Sequence, residues 1–193
     1  MHAEGNAEKR DPRFAAWRAI DAAFKKVAML RRVLLPLIAA LLLGGCASPS
    51  YTYRYVPGRT AILREGYAIA PPEAPPDVQA AIAAGNRIAG LPYARGGGHG
   101  STFDSTYDCS GATSYVLIAA GKLGRPTTST AFRHYGRSGE GEWITLYARR
   151  GHVFLSVAGL RFDTGYNDGS HGPQWTTRSR PAPHAVLRHP AGL

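Results

Sequence analysis

Between Trp143 and Thr164 the chain reads as three β-rich runs in close succession: Trp143–Ala148, His152–Ala158 and Leu160–Thr164. The middle run alternates. Val153, Leu155 and Val157 face one way, and His152, Phe154 and Ser156 face the other, which is the period of a strand. Runs this short, with such small gaps, can only be an antiparallel meander, and its apolar face needs a layer to pack on. Two helical runs upstream supply that layer. In the first, Val78, Ala81, Ile82, Gly85 and Ile88–Ala89 line one face between Val78 and Ala89. Asp77 stands where a cap belongs and Gly90 where the helix should end. The second begins at Cys109, carries Tyr115, Val116, Ile118 and Ala119 on its buried side, and stops by Gly121, Gly124 and Pro126. Helices followed by strands predict an α+β fold, with the helices on one side of an antiparallel sheet of about five or six strands. Residues 125–142 show no clear period, although Ala131–Phe132 and Tyr135 are expected to pack. Val186–Arg188 offers a last strand.

The 193 residues suffice for one domain plus extensions. With 23 glycines and 14 prolines, that domain must be rich in turns. The formal net charge is +10, of which residues 1–45 hold +4 and the remainder +6. The excess is therefore spread along the chain. A basic surface suits an anionic polymer or lipid headgroups. The basic residues are dispersed and accompany no nucleic-acid motif, so nucleic acid is not the expected partner.

The N-terminal region reads as a targeting segment. Phe14, Trp17, Ile20 and Phe24 fall at roughly helical spacing, which fits an interfacial helix or, more simply, sequence upstream of a start at Met29. Arg31 and Arg32 precede an 11-residue run, Val33–Leu43, that is apolar apart from Pro36. A membrane span needs about 20 residues, so this run has the length of a signal-peptide core. Leu43-Gly44-Gly45-Cys46-Ala47-Ser48 follows and resembles the lipobox of bacterial lipoproteins. The resemblance implies cleavage before Cys46, a diacylglyceryl thioether on its sulfur, and a cell-envelope location, facing the periplasm from the outer membrane. Residues 46–76 read as a tether ending in the stiff stretch Pro71-Pro72-Glu73-Ala74-Pro75-Pro76. The expected division is thus 1–45 signal, 46–76 tether and 77–193 folded domain.

With Cys46 used for lipid, Cys109 is a lone thiol in an exported chain, where paired cysteines are the rule. It stands at the junction of a turn-rich segment and an apolar helix, in Tyr107-Asp108-Cys109-Ser110-Gly111. Free N–H groups in a helix's first turn favour a thiolate. Asp108 and Ser110 are both available to cap, and the small residues Gly111–Ser114 let the helix tip approach a sheet closely. A thiol also needs a base, and His152 opens a strand. A Cys-His pair gives a thiolate–imidazolium and later a proton donor for the leaving amine. His134 is assigned no role. His171, His184 and His189 lack metal-site spacing, and neither a metal nor a cofactor is expected.

These residues carry a family resemblance. Asp108-Cys109-Ser110-Gly111 opening a helix resembles the NlpC-type cell-wall peptidases, papain-like cysteine endopeptidases. So do Gly90-Leu91-Pro92-Tyr93-Ala94-Arg95-Gly96-Gly97 before it and Gly151-His152-Val153 after it. The likeness spans roughly Val78 to Thr164. It implies a papain-like NlpC-type domain in which Tyr93 and Ser110 help position substrate. It also implies hydrolysis of the bond between D-glutamate and a diamino acid in peptidoglycan stem peptides. The family places a polar group on the strand after the histidine, and the matching position is Asp163. Strand parity puts Asp163 on the face of His152. A tight turn at Ala158-Gly159 would leave the two on a diagonal, about 7–8 Å apart by backbone. A wider even loop would set them opposite. Gln174, Asn167 and His171 are the other candidates for the orienting group. Trp175, Arg178 and Arg180 are placed to line the cleft or wrap the sheet. Two alternatives remain: an amidase or acyltransferase of the same fold, and a non-catalytic envelope-binding lipoprotein. A monomer is expected.

Overall fold

The computed structural model describes residues 21, 24–26, 29–32, 48–100, 103–165 and 172–193. The chain divides into two units, Met1–Ala47 and Ser48–Leu193. In the first, the described residues are helical, and Lys25 pairs with Asp21 at 2.7 Å. The apolar run and Cys46 lie outside the described residues. Among the described residues, no helix is long and apolar enough to cross a membrane.

The second unit is a mixed α+β body. Its elements are β1 (Ser50–Tyr51), β2 (Ile62–Arg64), β3 (Tyr67–Ile69), α1 (Pro76–Ile88), α2 (Cys109–Ala119), α3 (Ser129–Phe132), β4 (Arg137–Ser138), β5 (Ile144–Arg149), β6 (His152–Val157), β7 (Leu160–Asp163), β8 (Gln174–Thr176), β9 (Arg180–Pro181) and β10 (Val186–His189). Six strands form an antiparallel sheet in the order β4-β10-β5-β6-β7-β8. The meander β5-β6-β7 is its centre, and the C-terminal strand β10 inserts between β4 and β5.

The alternation of β6 sorts the sheet's two faces. Val153, Leu155 and Val157 point into the main core with Val78, Ile82 and Ile88 of α1, Val116 and Leu117 of α2, and Phe132 of α3. The helices share this apolar face because burying an aliphatic side chain is worth about 1.5–3 kcal/mol, and only one face offers a continuous aliphatic surface. The opposite face is aromatic and also buried. Tyr147 and Phe154 stack at 4.5 Å, and Tyr51, Ala182 and Ala185 cover them.

That cover corrects the expected domain boundary. Residues 50–76 are not a free tether. Tyr51, Ala61, Ala68 and Ala74 are buried in the body. Strand β1 pairs with β9, apart from the main sheet. The β2–β3 hairpin is fastened to α1 by Asn86, which accepts from and donates to the backbone of Ala68 at 2.9 Å. Isolated apolar residues among prolines and tyrosines carried too little period to show that burial. The cap of α1 is a second correction. Asp77 lies in the first turn of a helix preceded by Pro75 and makes no cap bond. It pairs instead with Lys122 at 2.7 Å.

Candidate active site

The tip of α2 is built from three local constraints. Asp108 caps the helix, its Oδ1 accepting from the N–H of Gly111 at 2.7 Å. The other carboxylate oxygen accepts from the N–H of Gly96 at 2.9 Å, and the N–H of Asp108 donates to the carbonyl of Gly97 at 3.1 Å. The glycine-rich loop is thereby clamped onto the helix start. The approach is so close that a Cβ on Gly111 would lie 2.0 Å from the Gly97 carbonyl oxygen, so only glycine fits.

His99 adds to the clamp, its Nε2 lying 3.2 Å from both Asp108 Oδ1 and Ser110 Oγ. Burial of the Asp108 carboxyl would raise its pKa. The N–H groups of Gly111 and Gly96, the Ser110 hydroxyl and His99 outweigh that, and the net shift is downward. The cap is therefore a carboxylate at neutral pH. It presents Cys109 as the first helical residue, half-buried, with the first-turn N–H groups around it.

His152 meets that thiol from the start of β6. Its Nε2 lies 2.9 Å from Asp163 Oδ1, and the ring lies close enough to Cys109 for the thiol to act on its pKa. With Nε2 engaged by the carboxylate, Nδ1 is the ring nitrogen left open. Burial would lower the imidazole pKa, but the hydrogen bond to Asp163 and the charges of Asp163 and Cys109 prevail and raise it above its ordinary value. The structure thus brings Cys109, His152 and Asp163 together, with His152 hydrogen-bonded to Asp163 and close to the thiol.

The route from His152 to Asp163 is the tight one. Val157 pairs with Leu160 across a two-residue turn, and the register continues through Leu155 and Phe162. Asp163 therefore sits across from Phe154, on the diagonal from His152, and no wider loop is needed. The imidazole is long enough to cover a diagonal that the short aspartate could not.

Asp163 itself is buried. Its Oδ1 also accepts from the Thr164 N–H at 2.7 Å. Its Oδ2 accepts from Arg180 Nη1 and lies 3.6 Å from Arg161 Nη1. Both oxygens of this buried side chain are thus occupied by hydrogen-bond donors. Gln174 lies directly across from Asp163 on β8, yet Asp163 is the residue that reaches the ring. Asn167 and His171 lie outside the described residues.

Beside the ring is a cleft of about 170 Å³ lined by Tyr93, His152, Thr164, Gly165 and Arg180. Tyr93 is 44% exposed and close enough to Cys109 and Asp108 to feel both charges. With burial as the larger cause, its phenol pKa is raised. Ser110 is placed differently. Its hydroxyl is buried and donates to Asp108 Oδ1 at 2.9 Å, supporting the helix cap rather than facing the cleft.

Of the other residues expected at the cleft, Arg180 lines it, whereas Trp175 packs in the core against Phe162 and Gly85. A larger cleft of about 470 Å³, bordered by Tyr51, Trp143 and Tyr147, contains none of the candidate residues. Among the described residues, no group of three histidines, cysteines or carboxylates is placed to hold a metal. Two participants escaped sequence reasoning. Arg161 shares the face of Asp163 by strand parity, a signal that was available. His99 lies in a turn segment with no period to place it.

No family model and no curated protein matches the chain. A solved structure described as a hypothetical invasion protein of Mycobacterium tuberculosis aligns with a TM-score of 0.41 at 20% identity, over 59% of this chain and 62% of that one. The chain thus spans about three-fifths of that protein's length.

Proposed function

We propose that the chain is a cysteine peptidase with a papain-like, NlpC-type catalytic domain that hydrolyses peptide bonds in peptidoglycan stem peptides. The observation that carries this reading is that His152, hydrogen-bonded to the buried Asp163, lies beside Cys109 at the tip of α2. A buried carboxylate on Nε2 holds the ring in place and leaves Nδ1 for proton exchange with the thiol.

In the proposed reaction the Cys109 thiolate attacks the scissile carbonyl carbon. The carbonyl oxygen takes the negative charge beside the first-turn N–H groups of α2, that of Cys109 included. His152 then gives its proton to the departing amine as the C–N bond breaks, leaving a thioester on Cys109. A water molecule, deprotonated by the now neutral His152, adds to the thioester. Collapse of that adduct releases the carboxylic acid and returns the proton and the thiolate to their starting pair. Tyr93 borders the cleft next to the sulfur and contacts the bound peptide. No cofactor is required. The preference for a D-glutamyl–diamino acid bond rests on the resemblance of the Asp108–Gly111 and Gly90–Gly97 motifs. A lipid anchor on Cys46 would hold a monomeric enzyme at the outer membrane, facing the periplasmic polymer.

The test is digestion of purified peptidoglycan by the wild type and by Cys109→Ala, with the soluble products identified by mass spectrometry. Cleavage within the stem peptide is expected. The rate should fall by at least about a thousandfold in the variant, as when a nucleophile is deleted. Release of intact stem peptides from the sugar would replace the endopeptidase by an amidase. Equal activity of the two proteins would remove Cys109 from the chemistry.

A further inference from the structure

Arg180 is held in place by the N-terminal strand. Strand β9 pairs with β1, Tyr51 opposite Arg180 and Ser50 opposite Pro181, and the N–H of Ala182 donates to the carbonyl of Pro49 at 2.9 Å. The pair β1–β9 is its own two-stranded sheet, so β1 is the strand that aligns the backbone of Arg180. Strand β1 is in turn hooked to the β6–β7 hairpin. The Tyr51 hydroxyl donates to the Gly159 carbonyl at 2.8 Å and accepts from the Arg161 N–H at 3.1 Å. The Arg180 guanidinium lies over the Phe154 ring at 5.3 Å and donates to Asp163 Oδ2. A carboxylate has two equivalent oxygens, and a single donor leaves it free to rotate. Oδ1 takes both His152 and the Thr164 N–H, and Arg180 on Oδ2 ties down the other oxygen and so the rotation of the group.

We propose that Arg180, braced by β1 through Tyr51, is a positioning residue that fixes the rotation of the Asp163 carboxylate and so the orientation of His152. The inference rests on the reading of Cys109, His152 and Asp163 as the reacting groups. It adds that a strand immediately after the signal region is part of the support of that site.

The test uses the full chain and the variants Arg180→Gln, Arg180→Lys and Tyr51→Phe, with two readouts. The first is stem-peptide hydrolysis. Arg180→Gln is expected to lower kcat by about 10- to 100-fold, the scale of a misplaced reacting group, with KM within about twofold. Arg180→Lys should recover part of the loss, and Tyr51→Phe should lower kcat less than Arg180→Gln. The second readout needs no substrate. The far-downfield proton resonance of His152 Nε2–H, held by Asp163, should be present in the wild type and in Arg180→Lys and lost in Arg180→Gln.

Retention of that resonance and of kcat in Arg180→Gln would overturn the proposal. So would a raised KM at unchanged kcat, which would make Arg180 a substrate contact. If Arg180→Gln does not fold, unchanged kcat and resonance in both other variants would overturn it. If the wild type cleaves no stem peptide, the hydrolytic reading fails, and the resonance alone decides whether Arg180 positions Asp163.

Discussion

His152 couples the site to pH. Its raised pKa means that the folded protein holds this proton more tightly than the unfolded chain does. The stabilisation is fully present below the unfolded value, about 6.5, and is lost as pH rises through the folded value. The difference in unfolding free energy between wild type and His152→Gln should therefore shrink steadily from pH 6 to pH 9. Denaturant titrations across that range would show it. A difference that is flat, or that grows with pH, would mean the imidazole is not held protonated by its neighbours. The same geometry sets this histidine apart from His189. The partner of His152 is the buried Asp163, held on Oδ1 by the Thr164 N–H as well, whereas the half-buried His189 has its Nδ1 3.1 Å from the Gly139 carbonyl.

At the scale of elements, the site depends on how closely α2 approaches the glycine-rich loop. Gly111→Ala would add a methyl group where 2.0 Å separates the ideal Cβ from the Gly97 oxygen. Backbone faces backbone there, and neither side can swing away. The helix tip must shift, and overpacking of this kind costs about 1–3 kcal/mol or more. A lowered melting temperature together with a loss of activity exceeding that of the unfolded fraction is expected. Thermal unfolding and rates measured well below the transition would establish both. The β6–β7 turn is the second determinant. Ala158 and Gly159 both have positive φ, 45° and 74°, the twist a two-residue hairpin requires. That turn places Asp163 one step off from His152 and still within the reach of its ring.

The folded body begins near Ser48. Its sheet is buried on both faces, by helices on the aliphatic side and by the β1–β9 ribbon on the aromatic side. A chain started at Asp77 would uncover Tyr147 and Phe154 and remove Tyr51 from the hairpin it holds. Loss of cooperative thermal unfolding is expected for residues 77–193, and its retention for residues 48–193. Circular dichroism melts of the two would decide this, and a sharp transition in the shorter chain would return residues 48–76 to the role of a tether.

What could be read from the residues alone is what local physics controls. The alternation of β6, the helical periods of α1 and α2, and the placing of Cys109 at a helix start each follow from steric and hydrogen-bonding rules acting over a few residues. So does the shared face of His152 and Asp163, because strand parity needs no tertiary information. The choice between capping by Asp108 and by Ser110, the insertion of β10 beside β5, the burial of residues 50–76, and the convergence of Arg180 and Arg161 on Asp163 were decided by the folded chain. Contacts such as Tyr51 with Gly159 and Arg180 with Asp163 join residues far apart in sequence or lie between segments too short to show a period. They form only when the sheet's second face must be covered and a buried polar side chain must find hydrogen-bond partners.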